Sequence, residues 1–218
     1  MKAIPREVEK QKPNTWSREI RELQKKLIQL NSFQKEVFIG SILGDGHLSP
    51  NEYGKNYRFQ VAQMKDHKGY VDWKYNIFKD WCLSEPKFVP ANNSYRFRTI
   101  SHPIFTQLHN LFYRNGKKIL PENLDEIICS PITLAVWFMD DGSVGPRHKG
   151  LTLNTQNFTR DENERLMNYL SDKFQFKISL HKDKNSWRIY IFPESAIEFK
   201  RKINEFILPE FQYKLLYL

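Results

Sequence analysis

Two long apolar runs interrupt an otherwise mixed pattern of apolar and polar positions: FIGSILGDG at 38–46 and LAVWFMDDG at 134–142. Each run ends in Asp-Gly, and no other stretch of the chain is so apolar for so long. Such runs predict buried helices, and the glycine after each run predicts a left-handed C-cap. Asp45 and Asp141 would then lie at helix C-termini, where the helix dipole disfavours a carboxylate by roughly 0.3–1 kcal/mol. Because Asp140 adds a further negative charge, we expect a cation to bind there.

The spacing of the two runs favours their pairing. Asp45 and Asp141 are separated by roughly 100 residues, about the length of one small domain. Gly40 and Gly44 form a small-xxx-small pattern that lets a second helix approach closely. We therefore predict that the two helices, called the motif helices below, pack together at a pseudo-twofold axis and bring the two aspartates side by side. The alternative is a pair of ordinary core helices with glycine caps and solvent-exposed aspartates.

The segments that follow the two runs repeat one plan. In the stretch YRFQVAQ, Tyr57, Phe59 and Val61 alternate with Arg58 and Gln60, which predicts a strand with a polar outer face. GLTLNTQNFT follows the second run as this stretch follows the first. Further echoes join the two halves: NSYRFRT with NSWRIYI, and two copies of ILPE. An internal duplication is the economical explanation.

The sequence thus predicts an α+β protein of two pseudo-symmetric αββαββα repeats. Each repeat would form an antiparallel four-stranded sheet with its helices on one face, and the motif helices would join the repeats. The predicted organisation is a basic N-terminal arm and helix at 1–30, a first repeat at 31–116, a linker at 117–130 and a second repeat at 131–218. The other predicted elements are helices at 16–30, 70–83, 103–114 and 162–174, and hairpins at 87–100 and 176–192.

Composition and charge narrow the class of partner. The 218 residues carry a formal net charge of +9 and are 40% hydrophobic, which suits packed cores and a polyanionic partner. An antiparallel sheet can leave one face in solvent, and a two-stranded ribbon fits the major groove of DNA. The candidate DNA-binding residues are Lys55, Arg58, Gln60, Lys65, Arg96 and Arg98 in the first repeat, and Lys149, Asn154, Lys177, Lys182, Lys184 and Arg188 in the second. Each one alone could be ordinary solvated charge, but their alternation with core aromatics favours the set.

Several other classes of protein do not fit this sequence. Cys82 and Cys129 are far apart and lack metal-ligand spacing, which favours a reducing interior over a disulfide scaffold. No run reaches the ~18 apolar residues of a membrane span, and residues 1–30 lack the apolar core of a signal peptide. We therefore expect an intracellular protein without membrane attachment, in an organellar matrix (mitochondrion or chloroplast) or a bacterial cytoplasm.

The two runs resemble the paired motifs of the LAGLIDADG homing endonucleases, in the single-chain form that carries both motifs. The resemblance extends from about Leu27 to the C-terminus, through segments such as LAVWFMDDG, LNTQNFT and KKILP. Within the family it is closest to the endonucleases of the omega intron of mitochondrial ribosomal DNA. The final Asp-Gly is intact in both motifs. The departures are Leu43, where an Asp is common, Val136 at a usually small position, and Asp140 before the last Asp.

The resemblance implies a catalytic site with a divalent cation. Asp45 and Asp141 would ligate Mg²⁺, for which Mn²⁺ or Ca²⁺ could substitute in binding, with the carbonyls of Gly44 and Asp140 as further ligands. The other implied catalytic residues, which would orient water or stabilise charge on the phosphate, are Lys118, Lys214, Gln156 and Gln63. Without the resemblance, both lysines would be interpreted as surface residues. The strand parity of Gln63 matches core residues, so a bulge or a misalignment there is an open alternative.

The leading functional prediction is a monomeric, Mg²⁺-dependent endonuclease that cuts both strands of a long, asymmetric DNA target. One alternative is a maturase that binds intron RNA and helps its own intron to fold, alone or as a second activity. The other is a DNA-binding regulator with an inactive site. Because Asp45 and Asp141 are both retained, the sequence argues against the regulator.

Overall fold

The computed structural model describes residues 18–51, 55–128, 130–145 and 150–218. Its first half follows the predicted order of elements. After an N-terminal helix come the first motif helix, two strands, a helix, two strands and a helix: α1 (Arg18–Lys26), α2 (Ser32–Leu43), β1 (His47–Pro50), β2 (Tyr57–Met64), α3 (Lys68–Phe78), β3 (Lys87–Val89), β4 (Ser94–Arg98) and α4 (Pro103–Phe112). The predicted arm at the start of the chain and Lys149 lie outside the described residues.

The second half repeats this order after a short ribbon. Its elements are β5 (Tyr113–Arg114), β6 (Lys117–Lys118), α5 (Pro131–Asp141), β7 (Gly142–Val144), β8 (Leu151–Leu153), α6 (Arg160–Phe174), β9 (Ile178–Asp183), β10 (Ser186–Ile191) and α7 (Pro193–Ile203). Two 3-10 helices, Asn204–Phe206 and Pro209–Leu215, follow α7. No helix of the described residues is long and apolar enough to cross a membrane.

The two four-stranded sheets are antiparallel and have matching strand orders, β1-β2-β4-β3 and β7-β8-β10-β9. Alternate side chains enter the core, as predicted: Phe59 and Val61 on β2 are buried, and so are Ile189 and Ile191 on β10. Helices α3 and α4 pack on the core side of the first sheet, and α6 packs on the second. The predicted α+β fold with two matching repeats is therefore confirmed.

The motif helices α2 and α5 pack against each other at the centre of the molecule. At Gly40 the helices lie so close that a Cβ would be 2.7 Å from the carbonyl oxygen of Thr133 and 2.7 Å from the Cβ of Val136. At Gly44, a Cβ would lie 2.8 Å from the Oδ2 of Asp140. Both positions of the small-xxx-small pattern are therefore needed for the close approach that the sequence predicted.

The predicted left-handed C-caps are wrong. Gly142 has φ −82 and ψ 148, an extended conformation, because strand β7 begins at this residue. Among the described glycines, only Gly116 has a positive φ. The motif glycines provide space instead: a Cβ at Gly142 would overlap the ring of Phe138, and a Cβ at Gly46 would lie 2.8 Å from the carbonyl oxygen of Ser41.

Three helices end earlier than predicted. The N-terminal helix α1 ends at Lys26 rather than at residue 30, α3 ends at Phe78 rather than at residue 83, and α4 ends at Phe112 rather than at residue 114. The residues after α4 form the two-stranded ribbon β5–β6, whose turn residues Asn115 and Gly116 have φ 52 and φ 74. Two left-handed residues in succession favour a tight hairpin over a continuing helix. This hairpin determines where Lys118 lies.

The segment that joins the repeats packs along α6. Glu162 closes the capping box of this helix with Thr159 and also accepts the backbone N–H of Leu120 at 2.8 Å. Further along, the hydroxyl of Tyr169 donates to the carbonyl oxygen of Ile128 at 2.6 Å. Hydrogen bonds to the helix thus fix the path of the connecting segment.

Candidate active site

The C-terminal ends of the two motif helices bring three carboxylates together. Asp45 follows α2 and is exposed, whereas Asp140 and Asp141 are the last two residues of α5. The side chain of Asp140 is 0% exposed, and its Oδ2 accepts the backbone N–H of Asp45 at 3.3 Å. The helix pair therefore places the final Asp-Gly of one motif directly beside that of the other.

Burial and mutual repulsion raise the pKa of the two carboxylates at the end of α5. The pKa of Asp141 is raised to about 7, first by burial and then by the negative charges of Asp45 and Asp140. The ammonium groups of Lys118 and Lys214 oppose this rise without cancelling it. Within the described residues, neither Asp45 nor Asp141 forms a salt bridge. Both carboxylates are thus available to a cation, and a bound cation would oppose the raised pKa of Asp141.

The structure brings both predicted lysines to the motif ends. Lys118, on β6, donates its Nζ to the carbonyl oxygen of Gly44 at 2.7 Å. Lys214, on the last 3-10 helix, donates to the carbonyl oxygens of Met139 at 2.7 Å and Phe138 at 3.4 Å. Burial lowers the pKa of both lysines, and the nearby aspartates oppose that lowering. Each lysine therefore places its Nζ beside one motif end, in a similar relation to the two halves.

The two predicted glutamines differ in their placement. Gln63 donates its Nε2 to the Oδ2 of Asp45 at 2.8 Å and to the Oδ1 of Asp140 at 3.4 Å. The register of β2 with β4 is continuous through Gln63, so there is no bulge, and the core-side parity points this side chain at the motif ends. Gln156 instead donates to the Oδ2 of Asp183 at 3.0 Å. Gln63, for which a bulge or a misalignment was the open alternative, is therefore the glutamine that contacts the motif aspartates.

One residue of the site was missed in the sequence analysis. Lys74, on α3, has a side chain that is 0% exposed, and its Nζ lies 3.0 Å and 3.1 Å from the two carboxylate oxygens of Asp140. The ammonium also lies 4.1 Å from the centre of the Tyr70 ring. Burial lowers the pKa of Lys74 and raises the pKa of Asp140, and the attraction between them opposes both shifts. The available signal was a lysine at an apolar position of the α3 pattern.

The donor set fits a hard divalent cation that keeps part of its water shell. Mg²⁺ is usually bound through one or two carboxylates, with waters and phosphate oxygens completing six ligands. Asp45 and Asp141 supply two carboxylates without salt bridges among the described residues, and the carbonyls of Gly44 and Asp140 adjoin them. No group of three or more His, Cys, Asp or Glu in the described chain suits a metal enclosed by side chains alone. The site therefore suits a cation shared with a phosphate ligand.

The outer face of the first sheet carries a basic set. Arg98 lies opposite Gln60, and Lys87, which the sequence analysis did not include, lies opposite Arg96. Arg98, Arg96 and Lys87 border a cavity of about 330 Å³ between the sheet and α1, which contributes Ile20. The other predicted members lie on the same face or at the ends of β2: Arg58, Lys55 and Lys65.

The outer face of the second sheet is less basic than predicted. Arg188 lies opposite His181 on this face, and the His181 ring stacks on Tyr190 with ring centroids 4.4 Å apart. Lys182 lies opposite Trp187, on the side of the sheet that carries the core residues, so its predicted place on the outer face is wrong by one step of strand parity. The remaining predicted members lie at strand ends or in the hairpin turn: Asn154, Lys177 and Lys184.

Comparison with known proteins identifies the family of this chain. The model of the LAGLIDADG DNA endonuclease family matches residues 35–199. The protein "Probable intron-encoded endonuclease 1" of Wickerhamomyces canadensis is 32% identical over 213 residues, which cover 92% of this chain and 91% of that protein. The cytochrome b mRNA maturase bI2 of Debaryomyces hansenii is 33% identical over 192 residues, which cover 83% of this chain and 72% of that protein.

A solved structure extends the similarity to three dimensions. The homing endonuclease I-WcaI bound to its DNA recognition sequence matches with a TM-score of 0.85 and 31% identity, over 94% of this chain and 96% of that one. The family model spans both motif helices and most of both sheets, and the structural match includes nearly the whole fold. The resemblance predicted from the two Asp-Gly runs is confirmed, and this chain belongs to the LAGLIDADG DNA endonuclease family.

Proposed function

We propose that this protein is a site-specific DNA endonuclease that hydrolyses one phosphodiester bond in each strand of a long, asymmetric target. The observation that carries the proposal is the meeting of Asp45 and Asp141 at the ends of two packed helices, between two sheets with polar outer faces. Two carboxylates at a pseudo-twofold axis suit a duplex, whose two strands are themselves related by approximate twofold symmetry. The relative I-WcaI binds a DNA recognition sequence, which supports the same partner here.

The motif aspartates would hold the divalent cation, which we propose is Mg²⁺, together with the carbonyls of Gly44 and Asp140. When bound, such a cation stabilises charge on the phosphate and leaving oxygen and lowers the pKa of a bound water. Proteins of this fold have been solved with Mn and with Mg, which supports a divalent cation in general. The chain's own share of the chemistry is to place two carboxylates, free of salt bridges among the described residues, where two strands of a duplex can reach them.

The lysines and one glutamine would act around these carboxylates. Lys118 and Lys214 hold an ammonium group beside each motif end, where it can stabilise the developing negative charge of a phosphate. The amide of Gln63 donates to Asp45 and would orient that carboxylate or a water beside it. We assign Gln156 to the same role only if its bond to Asp183 opens when DNA binds.

The two repeats would each read one half of the target. We propose that residues 31–116 and 131–218 form the two halves, that residues 117–130 link them, and that the N-terminal segment 1–30 adds basic contacts. Because one chain supplies both halves of the site, we propose that it acts as a monomer. We further propose that it works beside the intron-bearing gene, in an organellar matrix or a bacterial cytoplasm.

A plasmid cleavage assay tests this function. The supercoiled plasmid carries the host gene's sequence at the intron insertion site, without the intron; this sequence is called the junction. The purified protein is added with Mg²⁺ or with a chelator. We expect linear DNA only with Mg²⁺ and only with the junction present. A plasmid with the intron inserted at the junction is the matched control and should stay supercoiled. Uncut junction plasmid with folded protein and Mg²⁺ would contradict the proposal.

A second candidate function is binding of intron RNA. The observation that favours it is the 33% identity to a cytochrome b mRNA maturase. The two functions are separable, because RNA folding needs no phosphodiester hydrolysis and should survive loss of Asp45 or Asp141. Faster splicing of the host intron by a cleavage-deficient Asp141→Asn variant would establish the maturase role. Unchanged splicing with the wild-type protein would exclude it.

A further inference from the structure

The buried ion pair between Lys74 and Asp140 is the feature that the catalytic assignments leave unexplained. Both side chains are 0% exposed, and the ammonium lies within 3.1 Å of both carboxylate oxygens. Lys74 belongs to α3 of the first repeat, whereas Asp140 ends the motif helix of the second. The pair therefore joins the two halves of the protein directly beneath the motif aspartates.

Stability alone does not account for such a pair. Removing two charges from water is costly, and apolar replacements of buried pairs are often as stable or more stable. The geometry gives the carboxylate a further task, because Asp140 also accepts the backbone N–H of Asp45 at 3.3 Å and the amide of Gln63 at 3.4 Å. Both partners belong to the first half of the site.

The described residues of the second half form no equivalent contact. The position of Asp140 in the second motif corresponds to Gly44 in the first, and Gly44 has no side chain to reach toward Asp141. Gly44 instead leaves the space that Asp140 fills, since a Cβ there would lie 2.8 Å from its Oδ2. Among the described residues, the duplicated site thus has this contact in one direction: the Asp140 side chain of the second motif accepts the backbone N–H of Asp45 in the first.

We propose that Lys74 and the Asp140 side chain form a positioning pair that holds Asp45 and Gln63 in their cleavage-competent arrangement. Lys74 fixes the carboxylate, and the carboxylate fixes the Asp45 backbone and the Gln63 amide. Neither member of the pair touches the reacting phosphate. This inference rests on the proposed endonuclease function. It predicts that replacing both Lys74 and Asp140 slows cleavage of one DNA strand and not of the other.

The test uses double variants that never leave one buried charge alone. Lys74→Met/Asp140→Ala removes both charges and the carboxylate that accepts the Asp45 N–H, and Lys74→Met/Asp140→Asn removes the charges but keeps one side-chain acceptor. The matched control is the exposed pair Lys173–Asp125, at 3.1 Å, replaced in Lys173→Met/Asp125→Ala. Each protein cuts the junction duplex, labelled separately on its two strands, and the two nicking rates are measured with the affinity for the same DNA in Ca²⁺.

We expect the Lys74→Met/Asp140→Ala variant to bind the duplex as the wild type does but to nick one strand about 10–100-fold more slowly, the usual loss when a supporting partner of a metal ligand is removed. The Asn variant should recover most of that rate, and the Lys173 control should nick both strands normally. The ratio of the two rates does not depend on how much protein is folded, because unfolded molecules cut neither strand. Equal effects on both strands, including no effect, would overturn the inference. A wild type that cuts neither strand would instead contradict the proposed endonuclease function.

Discussion

At the scale of single residues, we expect Asp45 and Asp141 to be needed for DNA cleavage but not for DNA binding. Asn keeps the size of either side chain but removes the charge that a divalent cation needs, so double-strand cleavage should be abolished while affinity stays close to the wild type's. Plasmid linearisation and gel-shift titration of the same preparations measure the two properties. The exposed Asp172→Asn variant is the matched control and should cleave normally. Wild-type cleavage by either motif variant would remove that aspartate from the site.

The raised pKa of Asp141 predicts a pH dependence of stability in the metal-free protein. Its pKa rises from 3.8 to about 7 on folding, so the folded state holds the proton more tightly than the unfolded state. The contribution to stability is therefore fully present below pH 4 and is lost as the pH rises toward and through 7. We expect the melting temperature of the wild type to fall relative to that of Asp141→Asn between pH 5 and pH 8. Excess Mg²⁺ should reverse this difference, and a difference that is constant with pH would contradict the shift.

Residues of the candidate site can be predicted from the sequence where a pattern has a single explanation. Asp45 and Asp141 follow from two apolar runs with the same ending, but Lys118 and Lys214 needed the family resemblance because nothing local separates them from surface lysines. Lys74 stands at an apolar position of the α3 pattern, but that signal is weak, since a lysine in an amphipathic helix is normally solvated and its partner lies in the other repeat. Gln63 was ranked below its counterpart because core-side parity usually means burial in apolar surroundings.

At the scale of elements, the close packing of the motif helices makes a specific demand on Gly40. A Cβ there would lie 2.7 Å from both the Thr133 carbonyl oxygen and the Val136 Cβ, so the helices must move apart to accept it. We expect Gly40→Ala to lower the free energy of unfolding by about 1–3 kcal/mol, as overpacking does. Urea denaturation measures this loss. Gly145→Ala, whose Cβ would meet none of the described atoms within 4 Å, should change it much less. Equal losses in both variants would show that the helices tolerate separation.

The elements themselves were predictable from periodicity, while their ends depended on tertiary structure. Alternating apolar positions gave the strands of both sheets, and the repeated plan gave their number. The prediction of left-handed C-caps was wrong because each motif helix is followed almost directly by a strand. A strand requires extended backbone instead of a left-handed residue. The predicted end of α4 was wrong because Asn115 and Gly116 form a hairpin turn. That turn is only stable when the following strand has a partner.

At the scale of the whole molecule, the net charge of +9 predicts binding that weakens steeply with salt. Each phosphate that a Lys or Arg neutralises releases counterions and contributes a slope of about −0.9 to log affinity against log salt. Because the outer faces of both sheets carry basic residues, we expect several such contacts. Fluorescence anisotropy of a labelled duplex in Ca²⁺, measured over a series of salt concentrations, gives the slope. A flat plot would point to a partner other than DNA.

The unlike outer faces of the two sheets predict an asymmetric target. The first sheet offers Arg96, Arg98 and Gln60, whereas the second offers Arg188 beside a stacked His181 and Tyr190 pair. Unlike side chains read unlike bases, so the two half-sites should differ in sequence. Sizing by light scattering, combined with selection of cleavable sites from a partly randomised target library, tests this. A solution dimer that enriches perfect palindromes would contradict it.

Substitution of one arginine in each sheet locates the two half-sites. Arg98→Ala should relax preference in one half-site and Arg188→Ala in the other, each by roughly 1–3 kcal/mol if the contact to a base is bidentate. Lys182→Ala is the matched control, because Lys182 lies on the core side of the same hairpin as Arg188 and should leave both preferences unchanged. The base preference at every target position, measured by sequencing of the selected library, separates these outcomes. If Arg98→Ala and Arg188→Ala relax the same positions, the two sheets do not read separate halves of the DNA.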